Sequence, residues 1–134
     1  MSSPYGITQN NPANIRHSES FTWQGECGVT ERGFCIFDTP LDGIRALGRD
    51  LKNKIHRGLD TVEAILTVYA PPSENDTDAY IRDVCARTHY GPDDQLSADQ
   101  TTLERLVAAI IHHENGEQPY SAGLITEAVT AALQ

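Results

Sequence analysis

Apolar residues recur at three- and four-residue intervals through most of this chain, while short alternating stretches are confined to its first third. The clearest helical stripe is Leu103, Leu106, Val107, Ile110 and Ile111, wide enough to be buried as a core helix. Ser97 with Gln100 reads as its capping box, and Asn115-Gly116 as its left-handed stop. Ile44, Leu47, Leu51 and Ile55 mark a second helix, opened by Thr39-Pro40 and closed at Gly58, with Arg45, Arg49, Asp50, Lys52 and Lys54 on its outer side. Val62, Ile65, Leu66 and Tyr69 mark a third, capped by Asp60 or Thr61 and broken at Ala70-Pro71-Pro72. Tyr80, Ile81, Val84 and Cys85 face inward on a fourth, which follows Glu74-Asn75-Asp76. Leu124, Ile125, Ala128, Val129 and Leu133 do so on a fifth, capped by Ser121. Phe21-Thr22-Trp23-Gln24 and Phe34-Cys35-Ile36-Phe37, with Gly25, Gly28 and Gly33 between them, predict a β-hairpin. Residues 1–20 read as a polar, turn-rich loop. The expected fold is mainly α (α+β): about five helices around one buried helix with a small hairpin, in a single domain over residues 1–134.

The net charge of −9 narrows the partners. Nucleic-acid binding rests on Lys and Arg neutralising phosphates, and adhesion to anionic membranes needs the same surplus. Neither is expected, and no apolar run is long enough to span a bilayer. Sugars, peptides or a basic protein fit better. The N-terminus lacks a basic region followed by an apolar one, so no signal peptide is expected. Cys27, Cys35 and Cys85 make an odd count, for which reduced thiols are the default. Cys27 and Cys35 flank the hairpin, and distance alone decides whether they meet. With no Cys-x-x-Cys and His112-His113 adjacent on a helix, no metal site is expected, and no cofactor.

Candidate chemistry gathers at the end of the core helix. One turn beyond Ile110 and Ile111 the apolar stripe reaches Glu114. Apolar neighbours and the negative end of the helix dipole both disfavour its charged form, which is the environment of a general acid. The other reading is a solvated helix-end carboxylate beside two last-turn histidines. Asn10-Asn11-Pro12-Ala13-Asn14-Ile15-Arg16 reads either as a capped loop or as a ligand-facing one, rich in donors and acceptors. Trp23 is the sole tryptophan, open to core packing or to sugar stacking.

Several stretches together resemble a family of small phage and prophage virion-associated structural proteins. They are residues 10–16, Trp23-Gln24-Gly25, Gly33-Phe34, Phe37-Asp38-Thr39-Pro40, Gly43-Ile44-Arg45-Ala46, residues 69–77, Tyr80-Ile81, His113-Glu114-Asn115-Gly116 and Pro119-Tyr120. Ala13 stands where that family usually has Gly, which matters if the position needs a positive φ. The first half is also similar to cell-wall glucosaminidases and lytic transglycosylases of the lysozyme superfamily, in which a Glu ending a core helix protonates the glycosidic oxygen. Here that helix follows the Asn-rich loop, so the resemblance implies a circularly permuted lysozyme-like domain.

On that reading Glu114 is the general acid on peptidoglycan glycan strands, and Glu74 (or Asp76) a second carboxylate. Asn11, Asn14, Arg16, Trp23, Tyr69, Tyr80, His113 and Tyr120 would bind the sugars. The protein would sit in the virion, beside other virion proteins, or in the host cytoplasm before release. Two alternatives stand beside it: a non-catalytic virion structural or binding module, and an acidic inhibitor of a basic partner. An enzyme predicts a cleft holding Glu114, Asn14 and aromatic side chains together. A scaffold predicts Glu114 paired and closed off; an inhibitor predicts a contiguous acidic face.

Overall fold

The computed structural model describes residues 5–73 and 75–134. Among these, the protein is mainly helical with one small antiparallel sheet. Helix α1 (Tyr5–Thr8) is followed by a long loop, then by β1 (Glu26–Val29) and β2 (Cys35–Phe37). Four helices α2 (Pro40–His56), α3 (Val62–Tyr69), α4 (Thr77–Thr88) and α5 (Gln100–Asn115) come next, and α6 (Ala122–Leu133) ends the chain.

The caps explain most boundaries. Thr39, Thr61 and Ser121 each accept a hydrogen bond from the backbone N–H three residues on, at the starts of α2, α3 and α6. The start of α5 differs from the capping box read at Ser97: Asp99 is the N-cap and accepts from Thr102 N. An aspartate with extended backbone, immediately before the helix, satisfies the same orphan donors. Asp76 is likewise consumed as the N-cap of α4, accepting from Ala79 N.

The core is built around α5. Leu103, Leu106, Val107, Ile110 and Ile111 are all at most 1% exposed. They pack with Ile44, Leu47 and Leu51 of α2, Ile65 and Leu66 of α3, Val84 of α4 and Val129 of α6. Helices α2 and α6 make the most extensive pairing. Lys54, expected on the outside of α2, is buried with its ammonium 2.6 Å from Asp50 Oδ2. A lysine stem can cover apolar surface while its charged head is paired.

The hairpin is shorter than the sequence suggests. Its strands begin at Glu26, not Phe21, and residues 21–24 form the loop before it. Glu26 pairs with Phe37 and Val29 with Cys35, with an irregularity between Glu26 and Gly28. Cys27 is exposed and Cys35 buried, both as free thiols. A third extended segment lies beside β2, where Cys35 N donates to Ile15 O and His17 N to Gly33 O, both at 2.9 Å.

Residues 1–20 read as a loop from sequence, but Tyr5–Thr8 form one helix more than the five expected, and side chains rather than periodicity hold residues 10–16. Asn11 is fully buried. Its side chain donates to Ile15 O at 2.9 Å and Cys35 O at 3.0 Å, and accepts from Ile15 N at 2.9 Å. Asn10 and Asn14 hold positive φ, whereas Ala13 does not, so alanine fits there without strain. The loop lies against α2 at Gly43, where an added Cβ would stand 1.8 Å from Asn10 O. Gly43→Ala is expected to destabilise the fold by roughly 1–3 kcal/mol through overpacking against backbone that cannot yield locally. A chemical-denaturation midpoint unchanged from wild type would show that the loop is free to shift.

Candidate functional site

Four elements converge on one cleft. The end of α5 brings Glu114, the Asn-rich loop brings Asn14 and Arg16, and the end of α3 brings Tyr69. Tyr80 of α4 forms part of its floor. The cleft has a volume of about 470 Å³, within the range of small-molecule sites.

Glu114 reaches it because α5 stops abruptly. Gly116 takes φ 72° and donates to His112 O, closing the helix just past the carboxylate. Asn115 then ties the helix end to the loop, donating to Pro12 O at 2.7 Å and Ile111 O at 2.8 Å. Across the gap, Asn14 Nδ2 donates to Glu114 Oε1 at 3.2 Å. Its left-handed backbone, φ 53°, is one that Asn tolerates well. Burial pushes the Glu114 carboxyl above the usual glutamate range, although Asn14, His113 and Tyr80 each pull the other way. Desolvation is the largest influence, and Asn14, His113 and Tyr80 together do not offset it.

Tyr80 is 2% exposed and its hydroxyl lies beside Glu114 without a well-aligned hydrogen-bond partner. Burial, then the nearby carboxylate, holds that phenol far above its ordinary value. Behind it, the His113 ring stacks at 3.8 Å and His113 Nδ1 lies 2.8 Å from Asp83 Oδ2. Burial raises the Asp83 carboxyl, but hydrogen bonds from His113 and Arg87 outweigh it and hold the group below the usual range. The stability this gives is present above the unfolded aspartate pKa and is lost as pH falls through the lowered folded one. Asp83→Asn is therefore expected to narrow the gap to wild type on acidification. A stability difference constant from neutral to acidic pH would refute this, as read by urea unfolding at several pH values.

On the opposite wall Tyr69 Oη donates to Ala13 O at 2.5 Å, and Lys54 Nζ stands 5.7 Å from the centre of the Tyr69 ring. Tyr69→Phe is expected to cost about 0.5–1.5 kcal/mol by the loss of this one bond, measured by denaturant unfolding. One rim is cationic and aromatic. The Arg16 guanidinium lies 4.7 Å from the Phe34 ring centre and that of Arg32 4.6 Å from the Tyr5 ring centre. Phe21 and Trp23 meet edge to face at 4.9 Å on another side.

No protein-family model matches the chain. Over 120 residues it is 35% identical to Protein P5 of Pseudoalteromonas phage PM2, an alignment spanning 87% of this chain and 74% of that protein. The chain belongs to the Protein P5 family. A phage relative agrees with the phage resemblance carried by the sequence motifs.

Of the residues singled out from the sequence, Glu114, Asn14, Arg16, Trp23, Tyr69 and Tyr80 come together in the cleft. Asn11 does not face it, because its amide is spent on backbone groups of the loop and β2. His113 sits behind Tyr80, and Tyr120 packs against the core with a buried, unpartnered hydroxyl. Glu74 lies outside the described residues. Sequence reasoning missed Tyr5, Phe34, Arg32, and the Asp50–Lys54 pair. An acid and a base four residues apart on a helix look like a surface pair, and nothing local says that this one lines a cleft.

Proposed function

We propose that this member of the Protein P5 family is a virion-associated phage protein whose cleft cleaves peptidoglycan glycan strands, with Glu114 as general acid. The observation that carries the reading is Glu114 itself: a carboxyl raised by burial yet lining an open cleft, hydrogen-bonded by Asn14. Raising the carboxyl by burial favours the protonated form, which can donate to a glycosidic oxygen as the bond breaks. Asn14 and the Tyr80 hydroxyl would then stabilise the carboxylate left behind. Phe21, Trp23 and Tyr69 offer apolar faces to sugar rings, while Arg16 and Arg32 suit their anionic substituents.

Among the described residues the other acid lining the cleft is Asp50, which is held by Lys54. With Glu114 alone as the reacting group, it would protonate the leaving oxygen and then accept the proton of a substrate hydroxyl attacking the sugar carbon. The product is then an anhydro end, as in lytic transglycosylases; a second carboxylate such as Glu74 would instead allow hydrolysis. On this proposal the order of loop, hairpin and acid-ended helix would correspond to a lysozyme-like domain in circularly permuted order, which is tolerated when the original termini lie close together.

The alternative is a non-catalytic virion module. The phage relative and the hydrogen bond already made to Glu114 favour it. Release of soluble fragments from purified peptidoglycan by wild type, lost in Glu114→Gln, supports the enzyme. A folded wild type that releases nothing from several wall types sinks that reading and favours the module.

A further inference from the structure

We propose that His17, Glu26 and Cys35 form a zinc-binding site that staples the hairpin to the segment preceding it. Among the described residues these three alone form a group of metal-ligand donors: a ring nitrogen of His17, a carboxylate oxygen of Glu26 and Cys35 Sγ all lie within 4.8 Å of one another. They come from three separate lengths of chain, the extended segment beside β2, β1 and β2 itself. The apolar packing beneath them is slight, centred on Cys35, Phe37 and Ala46. A small, weakly cored element of this kind is where a metal adds most to order.

The donor set selects the ion. Thiolate, imidazole and carboxylate are the groups by which proteins bind zinc, at about 2.0–2.3 Å. A thiol and an imidazole are poor ligands for magnesium or calcium, which prefer oxygen. Charge agrees as well. Ionised Glu26 and Cys35 carry two negative charges, and a divalent cation with neutral His17 cancels both. That balance matters because Cys35 is fully buried and the Glu26 side chain is 3% exposed. Binding as the thiolate releases the Cys35 proton to solvent.

The surrounding contacts orient the ligands. Glu26 Oε1 accepts from Trp23 N at 3.0 Å, which leaves Oε2 for the ion. The far ring nitrogen, His17 Nε2, lies 3.7 Å from Glu19 Oε1. At that distance, and with the Glu19 side chain almost fully exposed, this carboxylate leaves the second nitrogen open to solvent. His17 Nδ1 and Glu26 Oε2 now stand 2.6 Å apart. They must separate slightly to share an ion, which side-chain rotation allows. With three protein ligands, a water would take the fourth position of a tetrahedral site. Arg16, Trp23 and Phe34, which line the cleft, are close neighbours of these ligands in sequence, so the staple would set one cleft wall.

The test is titration of cobalt(II), a spectroscopic substitute for zinc, into the reduced, metal-free full chain, followed by zinc displacement. A thiolate-to-cobalt absorption band saturating at about one ion per chain is expected, with a rise in melting temperature when zinc replaces it. The band must survive in the Cys27→Ser/Cys85→Ser double variant and vanish in Cys35→Ser. His17→Gln should weaken binding by more than the ~10–100-fold that losing an outer hydrogen-bond partner costs. Glu114→Gln should bind as wild type does, since the cleft acid is not part of the site. No band in the folded wild type, or a band that follows Cys27 or Cys85, would overturn the proposal.

Discussion

Replacing Glu114 by glutamine is expected to lower fragment release from peptidoglycan by about 10²–10⁴-fold, the usual contribution of a positioned general acid. Glutamine keeps the shape and can still accept from Asn14, but it has no acidic proton to give. The fold should not suffer. The carboxyl is raised mainly by burial, so the folded state holds its proton to higher pH than the unfolded chain does. The stability linked to that proton is fully present below the unfolded pKa and is lost as pH rises through the raised folded one. The glutamine variant does not titrate there, so it should gain on wild type as pH rises from acidic towards neutral. Wild-type activity should fall on the alkaline side for the same reason: the acid loses its proton. Urea midpoints and release rates over one pH series read both effects. A variant with undiminished release would remove Glu114 from the chemistry, and a variant that loses ground to wild type as pH rises would contradict the burial argument.

Asn11→Ala is expected to cost about 3 kcal/mol or more, because three hydrogen bonds vanish at a residue with no exposure. Ile15 N and O and Cys35 O would be left with fewer partners, and buried unsatisfied groups cost about 1–3 kcal/mol each. The damage should spread beyond stability. Asn11 joins the loop to β2, and the same loop carries Asn14 to Glu114 and Ala13 to Tyr69. Backbone amides of residues 14–17 and 35 should therefore lose hydrogen-exchange protection before the α5 core does. Asn11→Asp keeps the acceptor towards Ile15 N but sets a carboxylate oxygen against the carbonyls of Ile15 and Cys35, so at neutral pH it should cost at least as much as alanine by equilibrium unfolding. An aspartate variant clearly more stable than the alanine one would mean that the bond from Ile15 N carries the site.

Much of the fold is legible from local rules. The α5 stripe appears unbroken in the core, and Thr39, Thr61 and Ser121 cap helices as their positions suggest. Glu114 could be picked out because the helical period carries the apolar face to it and Asn115-Gly116 ends the helix there. The loop of residues 10–16 resisted reading for the opposite reason: its partners are 24 to 103 positions away in sequence at Cys35, Tyr69, Glu114 and Asn115. An asparagine bonded across such a distance has no periodic signature, so Asn11 and Asn14 look alike in sequence although one braces backbone and the other faces the cleft.

The same division holds across the molecule. The sequence by itself determined the five helices α2–α6, the caps of α2, α3 and α6, most of each buried face, and the carboxylate at the end of the core helix, because each depends on neighbours within about one turn. Only the tertiary structure decided that Lys54 is buried beside Tyr69 and that Arg16 and Arg32 share a rim with Phe34 and Tyr5. It alone set His17 beside Glu26 and Cys35. Those groupings join residues from different elements, and their free energy depends on how helices and hairpin pack, which no local pattern encodes.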